Sequence, residues 1–289
     1  MTNKSEKSSI FFLKNADKSL EGLSFKGFDA ICCDTQWLSN CINEHDINWI
    51  KSRLYNKDSY LTVFIKNRTD EANDCIEFEK HFTTAVNIYF NSNIYIPVCV
   101  NNLNDNSGQA QCKIENFPEI YGFSDNNFCE LNPDQKDKLQ QFLNLYNYEE
   151  FESTLKSAVD FFYLCLQSDN INIRFILLIS VLETLFSSLN SKSELKYRVT
   201  RNMAVFLGRD IENSREIFAD MRKFYDYRSD FIHAGITEHI TRETFIKLSE
   251  YVRLTLKKMI INRDVIGDKK TYLELLNESA FGSNPYNIE

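Results

Sequence analysis

Residues 212–234 read ENSREIFADMRKFYDYRSDFIHA, and their pattern decides how the second half of the chain is built. Ile217, Phe218, Met221, Phe224, Tyr225, Phe231 and Ile232 recur every three or four positions, the spacing of one face of an α-helix. Such a stripe faces a core or a partner. Arg228 stands in the slot where another apolar residue belongs, and an arginine cannot shed its charge to relieve burial. It needs a carboxylate, a path to water along its own stem, or an anionic ligand such as phosphate. His233 follows five residues later. Ala234-Gly235 then supplies the stop, glycine ending the helix and leaving space beside the imidazole.

Working upstream, helical periodicity begins at Asn132-Pro133-Asp134, a helix-start signal, with Leu139, Phe142, Leu143 and Tyr146 at helix spacing. Further helices are predicted over Phe151–Leu166, Ile171–Leu189, Glu194–Leu207, Glu212–Ala234 and Arg242–Ile261. Before Pro133 the pattern is different. Phe28–Cys33, Tyr60–Ile65, Ala85–Phe90 and Ile94–Val100 are rich in β-branched and aromatic residues and read as strands, with Asn91-Ser92-Asn93 as a hairpin turn. Glu44–Asn56 reads as a helix, and the polar run Asn101–Glu115 as an exposed loop. The expected architecture is an α+β domain over residues 1–131, followed by an all-α bundle over residues 132–289.

The composition narrows the functional classes. With 289 residues, 43% of them hydrophobic, 23 Phe and 14 Tyr, the chain has ample apolar surface for a core, and only 8 Gly and 4 Pro favour long helices over many-turned β folds. A net charge of −8 excludes a polycation that coats nucleic acid along its whole length. The apolar run Ile10–Leu13 is too short for a secretory signal, and Arg174 and Glu183 interrupt the most apolar segment, Ile171–Leu189. No membrane span is read, and a cytoplasmic location is expected. The 8 Cys form no pair of C-x-x-C knuckles. One cluster, Cys32, Cys33, Cys41 and His45, contains zinc-ligand types at a spacing that matches no common zinc module, so no metal and no cofactor is assigned. There is no phosphate-binding glycine loop, H-E-x-x-H or G-x-S-x-G. His45, His81 and His239 have no basic or nucleophilic partner at a telling spacing and read as surface or structural histidines.

The chemistry therefore gathers on Arg228 and His233. Arginine is a permanent bidentate donor to phosphate, and histidine moves protons near neutrality. Together they are a minimal set for RNA cleavage in which a 2′-hydroxyl attacks the adjacent phosphate. On an ideal helix, residues five apart point about 140° from each other, so a helix end, a kink or a second subunit must bring both to one phosphate. Ser229 and Asp230, four and three residues before His233, are placed to orient its ring. Glu183, a carboxylate inside an apolar helix, needs a partner. Arg228 is one candidate, and a purely structural pair such as Glu183 with Arg198 is the other. Arg198, Arg201 and Arg209 fall within roughly 80° on a helical wheel and read either as an RNA backbone track or as a solvated helix face.

Tyr-x-x-Arg-Ser-x-x-x-His-x-Gly, preceded by an apolar helix containing Leu182-Glu183-x-Leu185-Phe186, resembles the HEPN superfamily, and within it the ApeA-like group linked to anti-phage defence. The resemblance covers about residues 150–262. It implies an all-α homodimeric bundle with metal-independent ribonuclease activity centred on Arg228 and His233, with Glu183 as a supporting position. It further implies a toxin or abortive-infection effector that cuts tRNA or other cellular RNA, under control of an antitoxin or a phage-derived trigger. Some members have lost catalysis, so a non-catalytic dimerisation and nucleotide- or RNA-binding module stands as the alternative. Residues 1–131 would act as a sensor, a regulator or a substrate-positioning domain.

Overall fold

A computed structural model describes residues 7–39, 42–54, 60–68, 74–104, 110–123, 130–187 and 194–283. The chain divides into two compact units, Met1–Asn144 and Leu145–Glu289.

The first unit is built on an antiparallel sheet of β1 (Lys7–Lys14), β2 (Ser24–Phe25), β3 (Phe28–Asp34), β4 (Tyr60–Arg68), β5 (Tyr95–Asn104) and β6 (Ala110–Asn116), in the order β2-β3-β4-β1-β5-β6. β1 lies at the centre, pairing Phe11 with Phe64 of β4 and with Cys99 of β5. Strand alternation sends its residues to two cores. Ile10 and Phe12 join Val63, Val98 and Val100 under two helices, α1 (Thr35–Ser39) and α2 (Glu44–Leu54), whose Leu38, Ile47, Ile50 and Leu54 close that side. Phe11, with Phe25, Phe28 and Phe64, packs on Phe78 and Phe82 of α3 (Asp74–Tyr89) on the other side. α4 (Pro133–Leu145) follows, and its Phe142 rests against Tyr89 with ring centroids 5.1 Å apart.

Three expectations for this unit are corrected. Ala85–Phe90 is no strand: residues 85–89 are the last turns of α3. Ala85, Val86, Asn87 and Ile88 are all buried, so this helix lacks the polar face that would have exposed its period. Asn91-Ser92-Asn93 is then a helix-to-strand connection, held by the Asn87 side chain, which donates to the Thr83 and Ile94 carbonyls at 2.8 Å each. The segment read as a loop, Asn101–Glu115, carries the end of β5 and nearly all of β6, paired Asn101 to Lys113 and Asn104 to Ala110. Its asparagines are poor strand formers, and the ladder overrides that preference.

The second unit is helical: α5 (Ser153–Gln167), α6 (Ile171–Phe186), α7 (Leu195–Leu207), α8 (Ile211–Ala234), α9 (Arg242–Ile261), α10 (Arg263–Ile266) and α11 (Lys269–Glu278). α6 packs against α5, α7, α8 and α9, which explains its unbroken apolar run. Asn170 starts it, its side chain accepting from the Asn172 and Ile173 amides. Arg174 enters this core by laying its guanidinium 4.6 Å from the Phe245 ring centroid and donating from Nε to the Cys165 carbonyl. Helix ends in this unit are met by cations from elsewhere. Lys258 donates to the Phe206 carbonyl at 2.8 Å, and Lys269 to the Thr184 carbonyl at 2.6 Å. α7 turns into α8 at Gly208, where a Cβ would stand 1.9 Å from Ser214 Oγ, so only glycine lets the two helices meet this closely. Among the described residues no helix is long and apolar enough to cross a membrane.

Candidate functional site

α8 starts at Asp210, whose side chain accepts from the Asn213 amide, and runs unbroken to Ala234. Ile217, Met221, Phe224 and Tyr225 are buried along one face, as the periodicity predicts. Arg228 lies in the middle of that face. It is 30% exposed at the side chain, and its Nη2 stands 3.6 Å from Oε2 of Glu183 on α6, itself 19% exposed. Of the two partners open to Glu183 in the sequence, the structure brings up Arg228. The pairing is incomplete: Glu183 Oε1 and Arg228 Nε are buried without a hydrogen-bond partner. Burial, followed by the Glu183 charge, pushes the Tyr225 phenol far above its usual ionisation range, so it stays a neutral donor.

His233 occupies the last turn of α8 and is exposed, as are Ile232, Ala234 and Gly235. The helix overhangs its bundle here and closes with Gly235 at φ 69°, the Gly235 amide donating to Phe231 and the Ile236 amide to Asp230. A Cβ at Gly235 would meet nothing within 4 Å, so the space beside the imidazole is open. Ser229 and Asp230 are half-buried. Neither holds the His233 ring, which makes no hydrogen bond among the described residues. Both residues lie within the continuous helix α8, on which positions five apart diverge by about 140° within one chain.

The three arginines of the expected track differ in their surroundings. α7 ends at Leu207, so Arg209 lies beyond the helix on which the wheel placed it, exposed at the turn. Arg201 is occupied: its guanidinium donates to the carbonyls of Leu276 at 2.8 Å, Asn277 at 3.1 Å and Ser279, tying down the end of α11. Sequence reading missed this because α11 itself was not foreseen. Arg198 is half-buried on α7.

Cys32 and Cys33 are neighbours on β3 and face opposite sides of the sheet, Cys33 in the core under α1 and α2 and Cys32 3.7 Å from the Thr62 hydroxyl. Cys41 lies outside the described residues. Among those described, no group of three or more His, Cys, Asp or Glu is placed to hold a metal ion. His81 is buried with Nδ1 2.6 Å from Lys26 Nζ, a structural contact. A feature that sequence reading passed over is His239, whose ring stacks on Tyr227 at 5.0 Å, beside Arg228 in the chain. Its signal, an aromatic twelve residues upstream, has no period to give it away.

A cavity of about 170 Å³ lined by Phe151, Leu155, Leu185, Met259, Arg263 and Tyr272 lies in the same unit, and none of the candidate residues lines it. Comparison of the chain with protein-family models, with curated proteins and with solved structures finds no match.

Proposed function

We propose that this chain is a HEPN-type endoribonuclease that cleaves RNA without a metal through Arg228 and His233. The observation that carries the reading is a loosely held arginine: a half-buried guanidinium, 30% exposed at the side chain, whose contact to Glu183 is long at 3.6 Å. A phosphodiester is an anion whose geometry matches a guanidinium fork.

The reaction then balances as follows. The RNA 2′-oxygen forms a bond to its own 3′-phosphorus while the bond from phosphorus to the 5′-oxygen of the next nucleotide breaks. One His233 takes the 2′-hydroxyl proton, and the departing 5′-oxygen receives a proton from a second imidazole. Arg228 stabilises charge on the non-bridging oxygens, leaving a 2′,3′-cyclic phosphate and a 5′-hydroxyl. Since Arg228 and His233 diverge on one helix, two copies of the chain facing each other supply the complete set. tRNA or other cellular RNA is the expected target, and toxicity or abortive infection under an antitoxin or a phage-derived trigger is the expected setting.

The test is induction of wild type beside His233→Ala, with end-group analysis of total RNA and an in vitro repeat in excess EDTA. Cyclic-phosphate ends that fall by at least about a hundredfold in the variant support the reading. Cleavage unchanged in the variant removes His233 from the mechanism. The divergence of Arg228 and His233 within one chain favours a second reading, a non-catalytic dimerisation and RNA-binding module. RNA left intact by both proteins, with binding retained, selects it.

A further inference from the structure

The face of α8 that carries His233 has a row of side chains upstream of it. Counting 100° per residue, Ile211, Arg215, Phe218 and Arg222 fall within about 60° of one another. His233, eleven residues beyond Arg222, comes back to within about 20° of it. Phe218 is half-buried between two other rings, Tyr197 of α7 edge-on at 6.0 Å between centroids and Phe281 tilted at 5.4 Å. Tyr197 is 53% exposed, so this small cluster presents an open ring to solvent. Single exposed aromatics are ordinary, but a braced ring beside cations is what single-stranded nucleic acid stacks on. Arg215 and Arg222 are exposed, and neither forms an ion pair among the described residues. The neighbouring acids are turned elsewhere: Asp226 to Lys196 of α7, and Glu216 and Asp220 to Lys247 of α9. Glu212 lies at the far end, about 15 Å along the axis from Arg222. Tyr197 meets Phe218 while its neighbour Lys196 meets Asp226, so Arg222, midway between those two positions on α8, is bracketed by both contacts. An anion following α8 from Tyr197 to His233 passes it.

We infer that this face of α8 is a track for single-stranded RNA leading to His233. The Tyr197 ring, braced by Phe218 and Phe281, stacks an unpaired base, and Arg222, with Arg215 behind it, holds the phosphates. The chemistry selects the occupant, because a π-face accepts any base that has left its pair and a guanidinium accepts phosphate. A duplex hides the base faces that the platform needs. The helical rise puts Phe218 about 22 Å from His233, roughly six nucleotides of a stacked strand at 3.4 Å each. The platform therefore holds a flank of the RNA and not the bond that is cut. For its direction, toward His233, this inference rests on the ribonuclease reading. The stacking and phosphate chemistry is shared with single-stranded DNA, which serves as the probe.

The experiment uses the full chain as wild type, Tyr197→Ala, Tyr197→Trp and Arg222→Gln, each checked by circular dichroism. Three probes are titrated: a single-stranded 2′-deoxy oligonucleotide, which cannot be cut, its duplex, and a strand of the same length with abasic sites. Tyr197→Ala should weaken the intact single strand roughly tenfold and the abasic strand and the duplex by under about twofold, and Tyr197→Trp should keep wild-type binding. Arg222→Gln should weaken both single strands and lower the slope of log affinity against log salt by about 0.7. With cleavable RNA, Tyr197→Ala should raise KM and leave kcat in place. Failure of wild type to bind the single strand, or an equal loss for intact and abasic strands, overturns the track. A dimer that dissociates in Tyr197→Ala while strand binding is unchanged assigns the face to a second copy and overturns it too. Single-strand binding that depends on Tyr197 in a protein that leaves RNA intact keeps the track and removes the ribonuclease reading. RNA cleavage with no dependence on Tyr197 or Arg222 removes the track alone.

Discussion

Replacing Arg201 with alanine separates the structural use of a basic residue from nucleic-acid binding. Its guanidinium donates to three carbonyls at the end of α11, those of Leu276, Asn277 and Ser279. Leu276 is fully buried, while Asn277 is exposed and Ser279 half-buried, so water replaces the outer bonds more readily than the inner one. Losing one charge-assisted bond to a buried carbonyl costs about 1.5–3 kcal/mol. Removing a cation from a helix C-terminus adds about 0.3–1 kcal/mol. The expected loss is therefore about 2–4 kcal/mol, or a fall in Tm of roughly 7–13 °C for a unit of this size. Thermal unfolding followed by circular dichroism measures it, and Arg201→Lys should recover only part, since an ammonium cannot span three carbonyls in one plane. The salt dependence of RNA binding should keep its slope, because a lost phosphate contact lowers that slope by about 0.7–0.9 and this side chain has none to lose. A variant that melts within about 2 °C of wild type and binds RNA with a shallower slope would refute the reasoning and restore Arg201 to an RNA track.

Two further predictions concern the same unit. Gly208→Ala forces a methyl to within 1.9 Å of Ser214 Oγ and 2.5 Å of the Ala204 carbonyl. It should destabilise by about 1–3 kcal/mol in urea unfolding, and Ser214→Gly in the same chain should return part of the loss. Burial holds the Lys258 ammonium down to about 8, below its usual 10.5. Below that pH the lysine is charged in both states and its penalty is fully present. Between about 8 and the unfolded value the unfolded chain holds more protons, so stability rises with pH. Lys258→Met should flatten that rise in urea midpoints taken at pH 7.5, 9 and 10. Parallel curves for the two proteins would show that another group causes it.

Where a helix has one wet face, its period was open to reading: α8 and α9 end within a residue or two of their expected limits. Strands with β-branched runs, such as β3, β4 and β5, were visible for the same local reason. α3 was misread because burial on nearly every side erases the contrast on which periodicity depends, and β6 because a ladder imposed strand geometry on residues with little preference for it. β1, the central strand, passed as only a short apolar run.

For the site, local sequence was enough to mark Arg228 as a charge in an apolar stripe, to name Glu183 as a carboxylate in need of a partner, and to place His233 beside a helix stop. These follow from spacing along one chain segment, where i, i+3 and i+4 relations fix which side chains share a face. Only the tertiary structure decided that Glu183 on α6 meets Arg228 on α8 and that Arg201 is already bound to α11. Those contacts join helices far apart in the chain, and no local period encodes which helix ends will meet. The sheet divides Cys32 from Cys33 by a local rule, alternation along a strand, but that rule applies only once the strand is known to have two covered faces.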